Sequence, residues 1–216
     1  MAHQHDHEQH GTNAEQWEQR YATSDRIWSG NPNALLVEHA TPLAPGTALE
    51  LGCGEGADAI WLARQGWTVL ATDVAHAALS KAAAHAADEG VPAGAISWAR
   101  YDLATDFPAG TFDLVTASYL HSWHQEFARE PILRRAAQAV APGGHLLVIS
   151  HAGAPAHAEP GKYFPEFPDA AATVGLLELG GGWVVEVAAD VTVPMRGPDG
   201  APSSRPDCIV LARRTG

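Results

Sequence analysis

A chain of 216 residues, 46% hydrophobic and 18% charged, is long enough for one domain with a sizeable core, and a second full domain would be cramped. Its net charge of −12, from 13 basic and 25 acidic residues, argues against a nucleic-acid groove or an anionic membrane surface, because both need clustered Lys and Arg. Two cysteines (Cys53 and Cys208) and the lack of an apolar run long enough to span a bilayer lead to an expectation of a reducing, cytoplasmic compartment without a disulfide framework.

The chain begins MAHQHDHEQHG, which has no apolar core and so does not read as a secretory signal. His3, His5, His7 and His10 lie among acids there. Residues 1–12 are expected to be a disordered, solvated tail, with a weak metal-binding tract as the alternative. A single domain is expected over 13–216. Residues 13–21 read as a short helix with Trp17 and Tyr21 four apart on one face. WSGNPN breaks the chain, and a second helix is expected over 33–40.

From there the pattern changes. TALELG reads as a buried strand, EGADAIWLARQG as a helix starting near Glu55, and WTVLATD as a second strand. AHAALSKAAAHAADEG is alanine-rich and helical; AISWARYD and FDLVTASYL read as strands three and four. A helix is expected over 126–140, closed by APGG, and HLLVIS as strand five. A short helix over 170–179 precedes two strands, GWVVEVAADVTV and DCIVLARR, joined by the turn GPDGAPSSRP. Alternating strands and helices predict an α/β architecture, a Rossmann-like, doubly wound parallel sheet with helices on both faces, and the last two strands should pair antiparallel at one edge.

Gly52, Gly54 and Gly56 follow the first strand, where open parallel sheets bind ligands. Glycines there let backbone approach a ligand closely, and the helix that follows aims its first amides at the same spot. Asp73 ends the second strand, where a carboxylate holds a ribose diol, and Asp102 ends the third in the same way. The glycines alternate, unlike the pyrophosphate loop of dinucleotide enzymes, whose third glycine comes later.

This constellation resembles the class I S-adenosylmethionine-dependent methyltransferases over nearly the whole chain from about Trp17. The acid and spaced glycines of the family's first motif are matched by Glu50, Gly52, Gly54 and Gly56; FDLV at 112–115 and APGG at 141–144 match two further motifs. The resemblance implies seven strands in the order 3-2-1-4-5-7-6 with strand 7 antiparallel. It also implies S-adenosylmethionine as cofactor and S-adenosylhomocysteine as product. Gly52, Cys53 and Gly54 would line the methionyl part; Asp73 would hold the ribose and Val74 would flank adenine. Asp102 and the Leu103 amide would bind the adenine edge, and Ser118 would face the sulfonium. Glu50 would touch the ligand or pin the glycine loop, and Cys53 is read as a loop filler rather than a nucleophile. WEQRY and WSGNPN with the glycine motif are similar to the small-molecule branch of thiopurine and tellurite-resistance methyltransferases. That similarity makes 13–41 a helical lid carrying Trp17, Tyr21 and Trp28, with ordinary amphipathic packing as the alternative for Trp17 and Tyr21.

A small-molecule acceptor would be methylated on sulfur, nitrogen or oxygen, and a poorly acidic one needs a base. SYLHSWHQEF after strand four and SHAGAPAHAEPGKYFPEF after strand five offer His121, His124, His151 and His157, with Trp123, Tyr163, Phe164 and Phe167 as apolar walls. His121 and His151 lie nearest the strand ends and are the candidate catalytic residues; capping of strands or loops is the plainer reading. A metal held by His121, His151, His157 and Glu159 is a further reading without a compact ligand spacing, so no metal is assigned. Arg205 and Asp207 are expected to form an ion pair in the hairpin. The rivals to methyl transfer are a nicotinamide-dependent oxidoreductase and a non-catalytic metal- or ligand-binding protein on the same fold. The oligomeric state is left open.

Overall fold

The computed structural model describes residues 11–122, 127–158 and 167–216. Two helices lead in: α1 (Asn13–Ala22), opened by a capping box in which Thr12 and Glu15 bond reciprocally, and α2 (Ala34–Ala40), capped by the Asn33 side chain. The sheet then builds as β1 (Thr47–Leu51), α3 (Ala57–Arg64), β2 (Thr68–Asp73), α4 (His76–Asp88), β3 (Ile96–Arg100) and β4 (Phe112–Ser118). Next come α5 (Arg129–Gln138), β5 (Val140–His151), α6 (Ala170–Leu177), β6 (Trp183–Arg196) and β7 (Pro202–Arg214). All seven strands join one sheet in the order β3-β2-β1-β4-β5-β7-β6. The first five run parallel, and β7 lies antiparallel between β5 and β6. That is the topology expected.

Alternation along the strands divides the core in two. Ala48, Val69, Ala71, Leu114, Leu147, Ile149, Ile209 and Leu211 pack toward Leu36 of α2 and Leu62 of α3. Leu49, Leu51, Val115, Leu146, Val148 and Val210 pack toward Ile132 and Leu133 of α5 and Leu177 of α6. Both faces are covered, so these strands are apolar nearly throughout.

Several boundaries differ from expectation. APGG does not close α5; it lies inside β5, which already pairs at Val140 with Phe112. Two arginines and Gln138 carry the amphipathic period to the end of α5, but Val140 is fully buried and is taken up by the sheet. The helix expected from Glu55 starts at Ala57, because Gly56 adopts a left-handed φ of 88° as its N-cap. The last hairpin is tighter: Pro202, Ser203, Ser204 and Arg205 are strand residues paired with 193–196 rather than turn.

Candidate functional site

The glycine loop leaves the carboxyl end of β1, between β2 and β4. Gly52, Gly54 and Gly56 have φ of 72°, 53° and 88°, a region that costs an L-residue about 1–2 kcal/mol. Space matters as well. A Cβ on Gly54 would stand 2.9 Å from the Tyr21 hydroxyl, and one on Gly52 would stand 2.8 Å from Leu120 Cδ1. Cys53 donates its amide to the Thr72 carbonyl at 2.8 Å and keeps its thiol buried, in keeping with a loop filler. Burial pushes that thiol well above its ordinary pKa, so it is no ready nucleophile.

The period of two puts one polar residue from each of five neighbouring strands on the same face, at the same end. Continuing the rows Val69–Ala71, Ala48, Leu114, Leu147–Ile149 and Leu211–Ile209 along their strands reaches Asp73, Glu50, Thr116 with Ser118, His151 and Asp207. Adjacent strands lie about 4.8 Å apart, and the register sets Glu50 level with Thr116 and Leu147, so His151, two strands over and four residues further along, stands on the order of 15 Å from Glu50.

The β2–β1–β4 part of this row is acidic and under-satisfied. Asp73 accepts from the Gly54 amide and the Ala75 amide, both at 2.9 Å, so it pins the glycine loop as well as ending its strand. Glu50 is 3% exposed, and its Oε2 has no partner. Thr116, its register partner on β4, has a buried, unpartnered hydroxyl, and the Asn33 side-chain nitrogen is likewise unpartnered, while the buried Ser118 hydroxyl lies against the Asp58 carboxylate. Asp58, on the first turn of α3, accepts from the Asn33 amide at 2.6 Å. Burial raises the pKa of Glu50 well above the usual carboxylate range, with Asp58 and Asp73 adding to it, and burial also raises Asp58 and Asp73. Three buried acids beside an orphaned hydroxyl are poised for a cationic, hydrogen-bonding ligand.

The N-terminal segment folds over this end. Tyr21 is buried beside Ala75 and Ala78, with Trp17 stacked on it at 5.7 Å. Trp28, 43% exposed, donates its indole N–H to the Tyr21 hydroxyl at 3.0 Å. Arg20 lies 5.9 Å from the ring centres of both tryptophans. Carboxylates fasten the segment at both ends. Glu18 accepts from the His76 and Ala77 amides at the start of α4, and Glu55 accepts from the Ile27 and Trp28 amides at 3.0–3.1 Å. Sequence reading missed both anchors: Glu18 was not singled out, and Glu55 was read only as the start of a helix.

Val74 is half-buried next to Asp73, and its carbonyl accepts from Arg100. Asp102 lies two residues past β3, exposed, with Oδ1 accepting from the Ala104 amide at 3.2 Å. The Leu103 side chain belongs to the core on the α5 face.

The β4–β5–β7 part of the row is histidine-rich. Tyr119 leaves β4 at a φ of 51°, which turns the chain so that its ring lies 4.6 Å from that of His151. His121 and His151 come together edge-on at 5.3 Å, with Phe167 5.4 Å from His151. His121 Nδ1 donates to the Tyr119 carbonyl, and burial lowers its pKa. His151 Nδ1 donates to Asp207 at 3.0 Å, and the expected Arg205–Asp207 ion pair is present at 2.7 Å. His157 instead bonds Ser203 at 2.8 Å. Trp123, His124, Glu159, Tyr163 and Phe164 lie outside the described residues, so the four-ligand metal reading cannot be drawn with Glu159. Among the described residues, no group of three or more His, Cys, Asp or Glu side chains is placed to share an ion.

Known proteins resemble this chain in sequence or fold. A family described as "Methyltransferase domain" matches residues 48–144, from β1 to the start of β5. The 2-heptyl-1-hydroxyquinolin-4(1H)-one methyltransferase of Mycobacteroides abscessus is 30% identical over 104 residues, 48% of this chain and 45% of the relative. The ubiquinone biosynthesis O-methyltransferase of Acinetobacter baylyi is 31% identical over 137 residues, 62% of this chain and 56% of the relative. The chain thus spans about half the length of the curated relatives it matches. The N-methyltransferase NodS of Bradyrhizobium japonicum, solved with S-adenosylhomocysteine, shares the fold at a TM-score of 0.61 and 19% identity, over 95% of this chain and all of its own.

Proposed function

Starting from residues 48–144 as a methyltransferase domain, we propose that the chain transfers a methyl group from S-adenosylmethionine to a small-molecule acceptor, leaving S-adenosylhomocysteine. The observation that carries this reading is the unpartnered Glu50 Oε2, buried with Asp58 and Asp73 beside a left-handed glycine loop. A cation with an ammonium group meets that deficit in both charge and hydrogen bonding; an anionic ligand would worsen it. S-adenosylmethionine supplies a methyl group activated on a sulfonium.

Glu50 and Asp58 would balance the positive charge, and Gly52, Cys53 and Gly54 would let backbone close on the methionyl part. Asp73 would offer its remaining lone pairs to the ribose hydroxyls while it holds the Gly54 amide. Val74 would flank adenine, with Asp102 and the Leu103 amide at its edge. Ser118 would face the sulfonium. Tyr21, Trp17 and Trp28 would cover the ligand and exclude water, which keeps the methyl for the intended nucleophile. His151 and His121 stand toward the acceptor, where a neutral imidazole can take a proton. Two free, buried cysteines support a cytoplasmic setting. Among the described residues, no helix is long and apolar enough to cross a membrane.

A calorimetric titration tests the donor site. S-adenosylhomocysteine should bind one to one, and Gly54→Val should abolish the heat while circular dichroism stays native. Heat with a reduced nicotinamide dinucleotide and none with either adenosyl ligand would give the site to the oxidoreductase reading.

A further inference from the structure

Asp207 is completely buried within β7, at the point where pairing with β5 ends on His151 while pairing with β6 continues at Val191. Four donors converge on it. Oδ1 accepts from His151 Nδ1 at 3.0 Å and from Arg205 Nε at 2.7 Å. Oδ2 accepts from the Tyr119 hydroxyl at 2.6 Å and from Arg205 Nη2 at 2.8 Å. Arg205 Nη2 also reaches the Tyr119 oxygen at 3.2 Å, and its guanidinium lies 5.1 Å from that ring's centre. Burial pushes the Asp207 carboxyl up, but the hydrogen bonds from His151, Arg205 and Tyr119 outweigh it and hold the pKa down at about 2.

A salt bridge that only stabilised the hairpin would need Arg205 alone. Here the carboxylate is a cross-strand register partner of His151, and Tyr119 reaches it through a φ of 51° that an L-residue rarely adopts. An ionised carboxylate can only accept, so the proton of neutral His151 resides on Nδ1 and its lone pair on Nε2. We propose that Asp207, supported by Arg205 and Tyr119, is a positioning residue that fixes His151 as the base for an acceptor bearing a weakly acidic hydroxyl or thiol.

The inference rests on the methyl-transfer reading. His151 Nε2 takes the proton from the acceptor's O–H or S–H. The electron pair left on that oxygen or sulfur forms the bond to the methyl carbon, and the pair of the broken carbon–sulfur bond stays on the departing thioether. The imidazolium is held by Asp207 until it releases one proton to water. The charged and titratable groups around His151 are Asp207 and Arg205 from β7, Tyr119 and His121 from the segment after β4, and Arg129 from α5, which bonds Ser150 next to it. With Asp207 cancelling one arginine, this half of the row carries net positive charge, suited to an acceptor that becomes an anion. Phe167 and Tyr119 give it aromatic walls.

The test uses the full chain, labelled with ¹⁵N, and two probes: catechol, protonated at neutral pH, and 4-nitrothiophenol, already a thiolate. Long-range proton–nitrogen spectra, assigned with His151→Gln, report the His151 tautomer and titration. In the wild type the Nδ1–H form should dominate. Asp207→Asn should lower the titration midpoint and mix the tautomers. Tyr119→Phe, which removes one donor to Asp207 and keeps the ring, should raise the midpoint. Catechol methylation in Asp207→Asn should fall about 10²–10⁴-fold, with its acid limb displaced, and the loss for 4-nitrothiophenol should be at least tenfold smaller. An unchanged His151 tautomer and midpoint in both variants, or equal losses for both probes, would overturn the proposal. Should Asp207→Asn fail to fold, the Tyr119→Phe titration decides. If the spectra move as expected and neither probe is methylated, the network stands and the acceptor class falls.

Discussion

At the scale of single residues, the site combines stability costs with ligand chemistry. Glu50 keeps an unpartnered carboxylate oxygen in the core, which typically costs about 1–3 kcal/mol. Glu50→Gln should therefore leave the ligand-free protein as stable or stabilise it at pH 7–8, and weaken S-adenosylmethionine binding tenfold or more; paired urea melts and calorimetry check both. Asp73 differs, because both its oxygens already hold backbone amides. Sequence reading treated it as a strand-end carboxylate that would hold the ribose of a ligand. Its place in the structure implies that Asp73→Ala loosens the Gly54 loop, lowering stability by about 1–3 kcal/mol in the same melts as well as reducing affinity. Position along the chain singled out Glu50, Asp73 and His151 as candidates, and the structure brings them to one face of the sheet. The Arg205–Asp207 pair was legible, but its joining to His151 and Tyr119 was out of reach, because those partners are 56 and 88 residues away and meet it only when β7 inserts beside β5.

At the scale of elements, the N-terminal segment, proposed above to cover the ligand, is fastened by carboxylates on backbone amides as well as by the Trp17, Tyr21 and Ile27 contacts. Glu55 accepts from Ile27 and Trp28, and Glu18 accepts from the first amides of α4 in the manner of a helix cap, an interaction commonly worth about 1 kcal/mol. Glu55→Gln should leave the sheet intact, raise hydrogen exchange across 21–33, and speed cofactor release. Exchange unchanged in that segment would show that Tyr21 and Trp17 hold the lid without Glu55. The elements themselves were largely legible: hydrophobic alternation and glycine punctuation located all seven strands. The misses share a cause. APGG and PSSRP look like turns by local chemistry, but β6 supplies ladder partners that extend β7 through PSSRP, and APGG is an irregularity that β5 carries between its pairs at Val140 and His145. FDLVTASYL reads as one strand, and the left-handed step at Tyr119 ends it early.

Across the whole molecule, the two halves of the polar row have opposite electrostatic character, and this has consequences with pH. Burial raises Glu50, Asp58 and Asp73, so the folded state holds protons that the unfolded chain has already released. Stability from that group is full below the ordinary carboxylate range and is lost as pH rises through the raised values. Asp207 has the opposite sign: its contribution is present above its unfolded pKa and is lost as pH falls toward about 2. The ligand-free protein should therefore be most stable in mild acid and lose melting temperature toward neutrality. Saturating S-adenosylmethionine, whose charge the three acids meet, should flatten that decline and at a hundred times its Kd add about 2.7 kcal/mol. Thermal melts from pH 4 to 9, with and without the ligand, show whether it does. The central claim, that this row of residues moves a methyl group, is tested most directly by mixing the protein with S-adenosylmethionine carrying a ¹³C methyl and a panel of small phenols, thiols and amines, and following the label by NMR. The expected result is label on a hydroxyl or thiol acceptor with matching S-adenosylhomocysteine, absent in Gly54→Val; tight cofactor binding with no transfer to any acceptor class would contradict it and favour a binding protein on the same fold.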